Sequence, residues 1–125
     1  MTLKAISLFS GAGGLDVGFE KAGYQIVWAN DFNKSACDTY NLNHAVKIKY
    51  GDVREYYDEL STIDGVDVVF GGPPCQGFSI AGKMDPNDER SKLLFSFFDV
   101  VERVEPRIFV LENVKALAVL EKWSD

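Results

Sequence analysis

A single cysteine in a rigid turn is the first group in this sequence that could do covalent chemistry. Cys75 stands in the stretch GGPPCQGFS (71–79), directly after the apolar run 66–70. That run predicts a buried strand, and the glycines and prolines end it, so the thiol lies at the strand's carboxyl end, where open parallel α/β sheets bind ligands. A thiol fixed there is a candidate nucleophile, because the thiolate is the reactive form. For a lone cysteine, however, a small buried loop residue is the commoner explanation.

A glycine-rich turn, SGAGG (10–14), could accept an adenosine-containing cofactor, since its backbone amides can approach a ligand closely. Asp31 lies 20 residues beyond Gly11, at the next strand's end, and suits ribose hydroxyls. Asp52, at the end of the third strand, could accept from an adenine amino group. The third glycine of a dinucleotide fingerprint would fall at Asp16, which disfavours a nicotinamide oxidoreductase. A tight turn with a capping Asp explains each residue equally well alone.

Glu112 and Asn113 end the last predicted strand and could act together with Cys75. Neighbouring strands lie roughly 4.8 Å apart, so groups at the ends of the fourth and fifth strands can reach one flat ring. A thiolate on one side of the ring and a carboxyl group on the other suit covalent activation of a heterocycle. By itself, the pair is equally typical of a helix cap after a strand.

The elements that must position these groups alternate along the chain. The predicted strands cover 3–9, 24–30, 46–50, 66–70 and 107–111, and the predicted helical segments cover 15–22, 33–42, 54–60 and 90–104. This alternation predicts a Rossmann-like α/β fold, a parallel sheet ordered 3-2-1-4-5 with helices on both faces. The last residues predict the start of another helix. Strand five would then be an open edge, which predicts self-association or a partner chain.

Composition narrows the class of protein. The 125 residues fit one domain, and 13 basic against 19 acidic residues give a net charge of −6 without a basic cluster. A chain that grips nucleic acid by itself usually carries a basic patch, so any polynucleotide must be held largely elsewhere. No signal peptide, membrane span or metal-ligand cluster is predicted, and two distant cysteines favour a reducing cytoplasm. Cys37 is interpreted as a small core residue and His44 as a solvated residue after a helix.

Six motifs, in order, resemble those of the DNA cytosine-5 methyltransferases. They are FSGAGGL (9–15), DF (31–32), GDV (51–53), GPPCQGFS (72–79), RSKL (90–93) and ENV (112–114). The resemblance covers nearly the whole chain. It implies the class I methyltransferase fold over residues 1–125, S-adenosylmethionine as cofactor, cytosine in double-stranded DNA as substrate, and a prokaryotic restriction–modification setting in the cytoplasm.

The resemblance also implies catalytic roles. Cys75 would attack C6 of a cytosine flipped out of the duplex. Glu112 would bind the N3/N4 edge of the base, so that C5 becomes nucleophilic and takes the methyl group. Pro74 would fix the loop, and Asn113 would orient its neighbours.

For the cofactor, the resemblance implies that Phe9 lies against the adenine, Phe32 packs on the purine and Leu93 closes the pocket. Asp31 would take the ribose hydroxyls, and Asp52 with Val53 the adenine edge. The full implied set is Phe9, Ser10, Gly11, Gly13, Gly14, Leu15, Asp31, Phe32, Asp52, Val53 and Leu93. The implied DNA contacts are Gln76, Ser79, Lys83 and Arg90.

The chain departs from the family pattern after the fifth strand. Family members continue with further strands, an arginine-bearing motif and a target-recognition domain, so this polypeptide alone is predicted not to methylate DNA. A fragment, one half of a split enzyme and a degenerate reading frame all remain open. The alternative functions are a cofactor-binding or regulatory module without catalysis, and an RNA cytosine-5 methyltransferase.

Overall fold

The computed structural model describes residues 2–73, 89–112 and 117–121, which form one sheet flanked by helices. The sheet has the order β3-β2-β1-β4-β5-β6. Its strands are β1 (Leu3–Leu8), β2 (Tyr24–Asp31), β3 (Lys49–Tyr50), β4 (Val68–Gly71), β5 (Ile108–Glu112) and β6 (Leu117–Glu121). The helices are α1 (Gly14–Lys21), α2 (Lys34–Asn43), α3 (Tyr57–Leu60) and α4 (Glu89–Val104), and a 3₁₀ helix, η1 (Val53–Tyr56), leads into α3. The predicted parallel order 3-2-1-4-5 is confirmed for the first five strands.

Side-chain alternation in the central strands places helices on both faces of the sheet, as predicted. Ile6 of β1 and Val69 of β4 face a core cluster that includes Phe97 of α4. Their neighbours Ala5 and Val68 face a second cluster on the opposite side, with residues of α1 and α2. Because successive strand residues point to opposite faces, a strand buried on both sides reads as the continuous apolar run seen in the sequence.

The helix α4 is amphipathic, and its apolar face packs on the sheet. Phe97 and Val101 are buried, and Phe98 packs edge-on against Phe109 of β5 with ring centroids 5.6 Å apart. On the other face, Phe19 of α1 stacks on Phe70 of β4 at 4.0 Å. Large rings at these crossings bury much apolar area, so each helix is held against the strands whose ends form the site.

The end of the described chain differs from the prediction. Residues 117–121 form β6, not a helix, and β6 pairs antiparallel with β5 from Ile108↔Glu121 to Glu112↔Leu117. Strand five is therefore paired on both sides, and its interpretation as an open edge was wrong. The apolar stretch 117–120 can propagate a strand as readily as a helix, and the unpaired backbone groups of β5 decide between them.

The third strand is an edge strand as predicted, but it is shorter than the predicted 46–50. It comprises Lys49 and Tyr50, which pair with Asn30 and Asp31. None of the helices in the part of the chain that the structure describes is long and apolar enough to cross a membrane.

Candidate functional site

A cavity of about 220 Å³ lies at the carboxyl edge of β1, β4 and β5, where the sequence predicted the chemistry. Its walls come from the end of β1, the glycine turn, the start of α1 and the ends of β4 and β5. The lining residues are Ser7, Leu8, Phe9, Ser10, Leu15, Asp16, Phe70, Gly71, Gly72 and Glu112. The fold therefore brings the glycine turn and Glu112 to one concave site.

Two glycines allow the strands to converge on this cavity. Gly71 pairs with Leu8 on one side and Leu111 on the other, and a Cβ at position 71 would lie within 3.0 Å of the Leu8 carbonyl oxygen. A Cβ at Gly72 would likewise lie within 3.0 Å of Glu112 Oε1. The exposed Glu112 carboxylate is thus next to the chain segment that leads to Cys75.

Cys75 itself, with Pro74 and Asn113, lies outside the described residues. The same holds for Gln76, Ser79 and Lys83, so their roles as DNA contacts stay predictions. The backbone of Arg90 belongs to the first turn of α4.

The glycine turn is a tightly closed backbone structure. The Gly13 amide donates to the Ser10 carbonyl at 3.0 Å, and the Ser10 amide donates to the Asn30 carbonyl at 3.1 Å. Gly13, the N-cap of α1, has φ +96°, and Phe9 has φ +53° although it is not a glycine. A left-handed backbone conformation at a phenylalanine costs about 1–3 kcal/mol. It is typical of functional turns, where the surrounding contacts enforce it.

Asp31 ties this turn to the end of β2. The nearly buried carboxylate accepts from the Gly11 amide through Oδ1 at 3.2 Å and from the Asn33 amide through Oδ2 at 2.9 Å. An ionised carboxylate has about four acceptor sites, so two backbone bonds leave capacity for ligand hydroxyls. The predicted ribose-binding role remains compatible with this geometry.

The predicted adenine-edge residues have other partners. The Asp52 carboxylate accepts from the Arg54 amide at 2.8 Å and from Nη2 of the same arginine at 2.5 Å. The Arg54 side chain lowers the pKa of Asp52, so this group stays ionised. Val53, the first residue of η1, is buried in the core.

The remaining predicted cofactor residues lie at different distances from the cavity. Leu15 lines it, and Gly14 begins α1 beside it. Phe32 is 52% exposed at the end of β2, and Leu93 is half-buried on α4; neither lines the cavity.

Sequence reasoning missed a buried polar group below the turn. Asp16 is fully buried; its Oδ1 accepts from the Ser7 hydroxyl at 2.8 Å and its Oδ2 from the Tyr40 hydroxyl at 2.5 Å. From the sequence, Asp16 is interpreted only as a residue that disfavours a nicotinamide cofactor. One sequence signal could have indicated this burial: Asp16 lies close to the apolar residues Leu15 and Phe19 on the same helix.

His44 corrects a second expectation, because it is not a solvated residue. Its side chain is 1% exposed, stacks on the Tyr40 ring at 4.1 Å and reaches Glu20 Oε1 through Nδ1 at 3.1 Å. The chain turns after α2 and folds the imidazole back under the glycine turn, which helix periodicity could not reveal. By contrast, the interpretation of Cys37 as a core residue is confirmed, and burial raises the pKa of its thiol.

Replacing Asp16 with asparagine is expected to change the pH dependence of stability. Burial raises the pKa of Asp16 above its ordinary 3.8, so the folded chain holds this proton more tightly than the unfolded chain. The stability that Asp16 contributes is therefore present at low pH and is lost as pH rises through the raised pKa. In urea unfolding at several pH values, the free energy of unfolding of Asp16→Asn should rise relative to that of wild type as pH rises above 3.8. The difference between the two proteins should then become constant above the raised pKa. A difference that stays constant with pH would contradict the assignment.

Comparison with known proteins places this geometry in a family. The family model described as C-5 cytosine-specific DNA methylase matches residues 3–123. The Type II methyltransferase M.FnuDI of Fusobacterium nucleatum is 44% identical over 117 residues, which are 92% of this chain and 33% of that protein. The Type II methyltransferase M.AquIA of Picosynechococcus is 42% identical over 99% of this chain and 52% of its own length.

A solved methyltransferase structure has a similar fold. The S. pombe Dnmt2 methyltransferase superposes with a TM-score of 0.64 at 28% identity, covering 91% of this chain and 37% of that one. The chain thus spans between about a third and about half of the length of these relatives. With nearly all of its residues matched by the family model, the chain belongs to the C-5 cytosine-specific DNA methylase family.

Proposed function

We propose that residues 1–125 are the N-terminal part of a catalytic domain that transfers a methyl group from S-adenosylmethionine to C5 of cytosine in DNA. The observation that carries this proposal is the cavity shared by the glycine turn and Glu112. It joins a backbone cradle suited to a nucleoside with a carboxylate suited to the edge of a base.

The residues present fit the cofactor. The cavity of about 220 Å³ is smaller than the 300 Å³ or more typical of whole-ligand pockets, so it would take only part of the molecule. The rest would lie along Asp31 and Phe32 on the open surface. When bound, S-adenosylmethionine would supply an electrophilic methyl group. The chain's own part is to shape the glycine turn as a backbone cradle, to accept hydrogen bonds from the ribose hydroxyls at Asp31 and to limit water at the cavity.

The proposed chemistry at the base belongs to Cys75 and Glu112. The Cys75 thiolate would add to C6 of the cytosine, and Glu112 would share a proton with N3, which makes C5 nucleophilic. After methyl transfer, loss of the C5 proton would restore the C5–C6 double bond and expel the thiolate. Every proton taken up at N3 is returned, so the net change is one methyl group for one proton at C5.

DNA recognition is proposed to need further residues or a partner chain. The net charge of −6 leaves little affinity for phosphates, and the chain spans about a third of M.FnuDI. We therefore expect S-adenosylmethionine binding without robust methylation from the 125 residues alone. An intracellular, prokaryotic setting and a restriction–modification role are part of the same proposal, drawn from relatives named Type II methyltransferases.

The test is a chimera in which residues 3–123 replace the matching third of M.FnuDI. On a duplex with 5-fluorocytosine at the target position, the chimera should form a denaturation-resistant adduct in the presence of S-adenosylmethionine. Cys75→Ala should abolish the adduct, because it removes the proposed nucleophile, whereas Cys37→Ala should retain it. An adduct that survives Cys75→Ala would overturn the proposed nucleophile.

Two further results separate the alternatives. A chimera that binds S-adenosylmethionine by calorimetry but never forms the adduct would favour a non-catalytic cofactor-binding module. Adduct formation on an RNA carrying 5-fluorocytosine, and not on the DNA duplex, would favour an RNA methyltransferase.

A further inference from the structure

A buried chain of hydrogen bonds connects the glycine turn to α2. The hydroxyls of Ser10 and Ser7 lie 2.7 Å apart, and Ser7 donates to Asp16 Oδ1 at 2.8 Å. Tyr40 of α2 donates its hydroxyl to Asp16 Oδ2 at 2.5 Å. Ser7, Asp16 and Tyr40 are all fully buried, so water does not compete for these bonds. A change at Tyr40 is therefore transmitted to Ser10 through fixed partners.

A second contact between the same two segments lies next to the first. Glu20 is one helical turn beyond Asp16 on α1, and its carboxylate lies 3.1 Å from Nδ1 of His44, four residues beyond Tyr40. The His44 ring stacks on the Tyr40 ring with an interplanar angle of 21°. Asp16 with Tyr40, and Glu20 with His44, thus form two parallel rungs between α1 and the end of α2.

The two rungs also fill the space beside the turn. A Cβ at Gly13 would lie within 3.0 Å of ring atoms of both His44 and Tyr40. The buried Nε2 of His44, which has no hydrogen-bond partner among the described residues, is the nearest of these atoms. The rings therefore press on Gly13 from one side while Asp16 holds Ser10 through Ser7.

We propose that Tyr40 and Asp16 are positioning residues that hold the glycine turn in the shape that binds S-adenosylmethionine. This inference rests on the proposed cofactor role of the turn. The Asp16 carboxylate is fully buried and accepts from two protein hydroxyls, so it would act on the ligand through Ser7 and Ser10. Tyr40 in turn orients Asp16, since its hydroxyl supplies the second donor.

Tyr40→Phe tests the proposal with the least disturbance, because it removes one hydroxyl and keeps the ring that stacks on His44. Amide exchange by NMR, measured without cofactor, should become about tenfold faster at Ser10, Gly11 and Gly13, whose amides donate to Asn30, Asp31 and Ser10 respectively. Calorimetry should give a Kd for S-adenosylmethionine about tenfold weaker, because the binding shape of the turn loses the support of one buried hydrogen bond.

Tyr57→Phe is the matched control. It also removes a tyrosine hydroxyl from an aspartate, Asp99, at 3.1 Å, but on the opposite face of the sheet. It should leave both the turn amides and the Kd unchanged even where it lowers the melting temperature.

The outcomes are distinct. Unchanged turn amides in Tyr40→Phe, or an equal loss of affinity in Tyr40→Phe and Tyr57→Phe, would overturn the positioning role. If amide exchange in the turn is faster in Tyr40→Phe but the wild-type chain does not bind S-adenosylmethionine, the positioning role of Tyr40 is supported. In that case only the proposed function is overturned.

Discussion

Replacing Gly71 with alanine is expected to lower the free energy of unfolding by about 3 kcal/mol, the upper part of the range for overpacking a tight interior. Gly71 lies between β1 and β5, and an added Cβ would lie within 3.0 Å of the Leu8 carbonyl oxygen. That neighbour is backbone, so it cannot rotate away as a side chain would. Relief requires β1 and β4 to separate at the edge that carries the cavity.

Urea unfolding and thermal melting measure this effect. For a chain of this length, a loss of about 3 kcal/mol corresponds to a melting temperature lower by about 10 °C. Gly18→Ala is the control, since Gly18 lies in α1 with nothing within 4 Å of its added Cβ, and there alanine should stabilise the helix by about 0.5–1 kcal/mol. Opposite signs for the two substitutions are expected. If Gly71→Ala stayed within 1 kcal/mol of wild type, the close approach of β1 and β4 would be refuted.

Gly13→Ala should weaken the proposed binding of S-adenosylmethionine roughly a hundredfold. Two causes act together. The φ of +96° at Gly13 is unfavourable for any residue with a Cβ, and the added methyl would overlap the rings of His44 and Tyr40. The rings are buried and stacked on each other, so the turn, which is the proposed cofactor cradle, has to move instead.

Combining the substitution with His44→Ala separates the two causes. The backbone strain is the same in both backgrounds, whereas truncation of His44 removes one of the overlaps. The double variant should therefore bind more tightly than the sum of the single effects predicts, by about 1 kcal/mol of coupling. Calorimetric titration of the four proteins measures this term. Strict additivity would show that His44 does not press on Gly13.

Sequence and structure give different information on how Cys75 is related to Glu112. The sequence connects Cys75 to Glu112 through two predicted adjacent strands and the motif resemblance. The structure adds that β4 and β5 are indeed neighbours in register, Gly71 opposite Leu111, with Glu112 beside Gly72. Cys75 itself follows in the undescribed segment, so its role stays a prediction that the adduct experiment addresses.

Much of this fold could be predicted from the sequence because its signals are local. The apolar runs at 66–70 and 107–111 mark strands buried on both faces, and the alternation with helices determines a parallel sheet. The glycine turn and the acidic strand ends are likewise short patterns whose meaning depends on a few adjacent residues. Family membership follows from the order of such patterns along the chain.

Tertiary structure alone decided the features that join distant segments. The bonds among Ser7, Asp16 and Tyr40, the burial of His44 and the pairing of β6 with β5 each unite residues that are remote in sequence or ambiguous in pattern. A histidine after a helix has the same local signature whether it is solvated or buried. Only packing of α1 against α2 places its ring under the glycine turn, and only the free backbone groups of β5 convert the last apolar stretch into a strand.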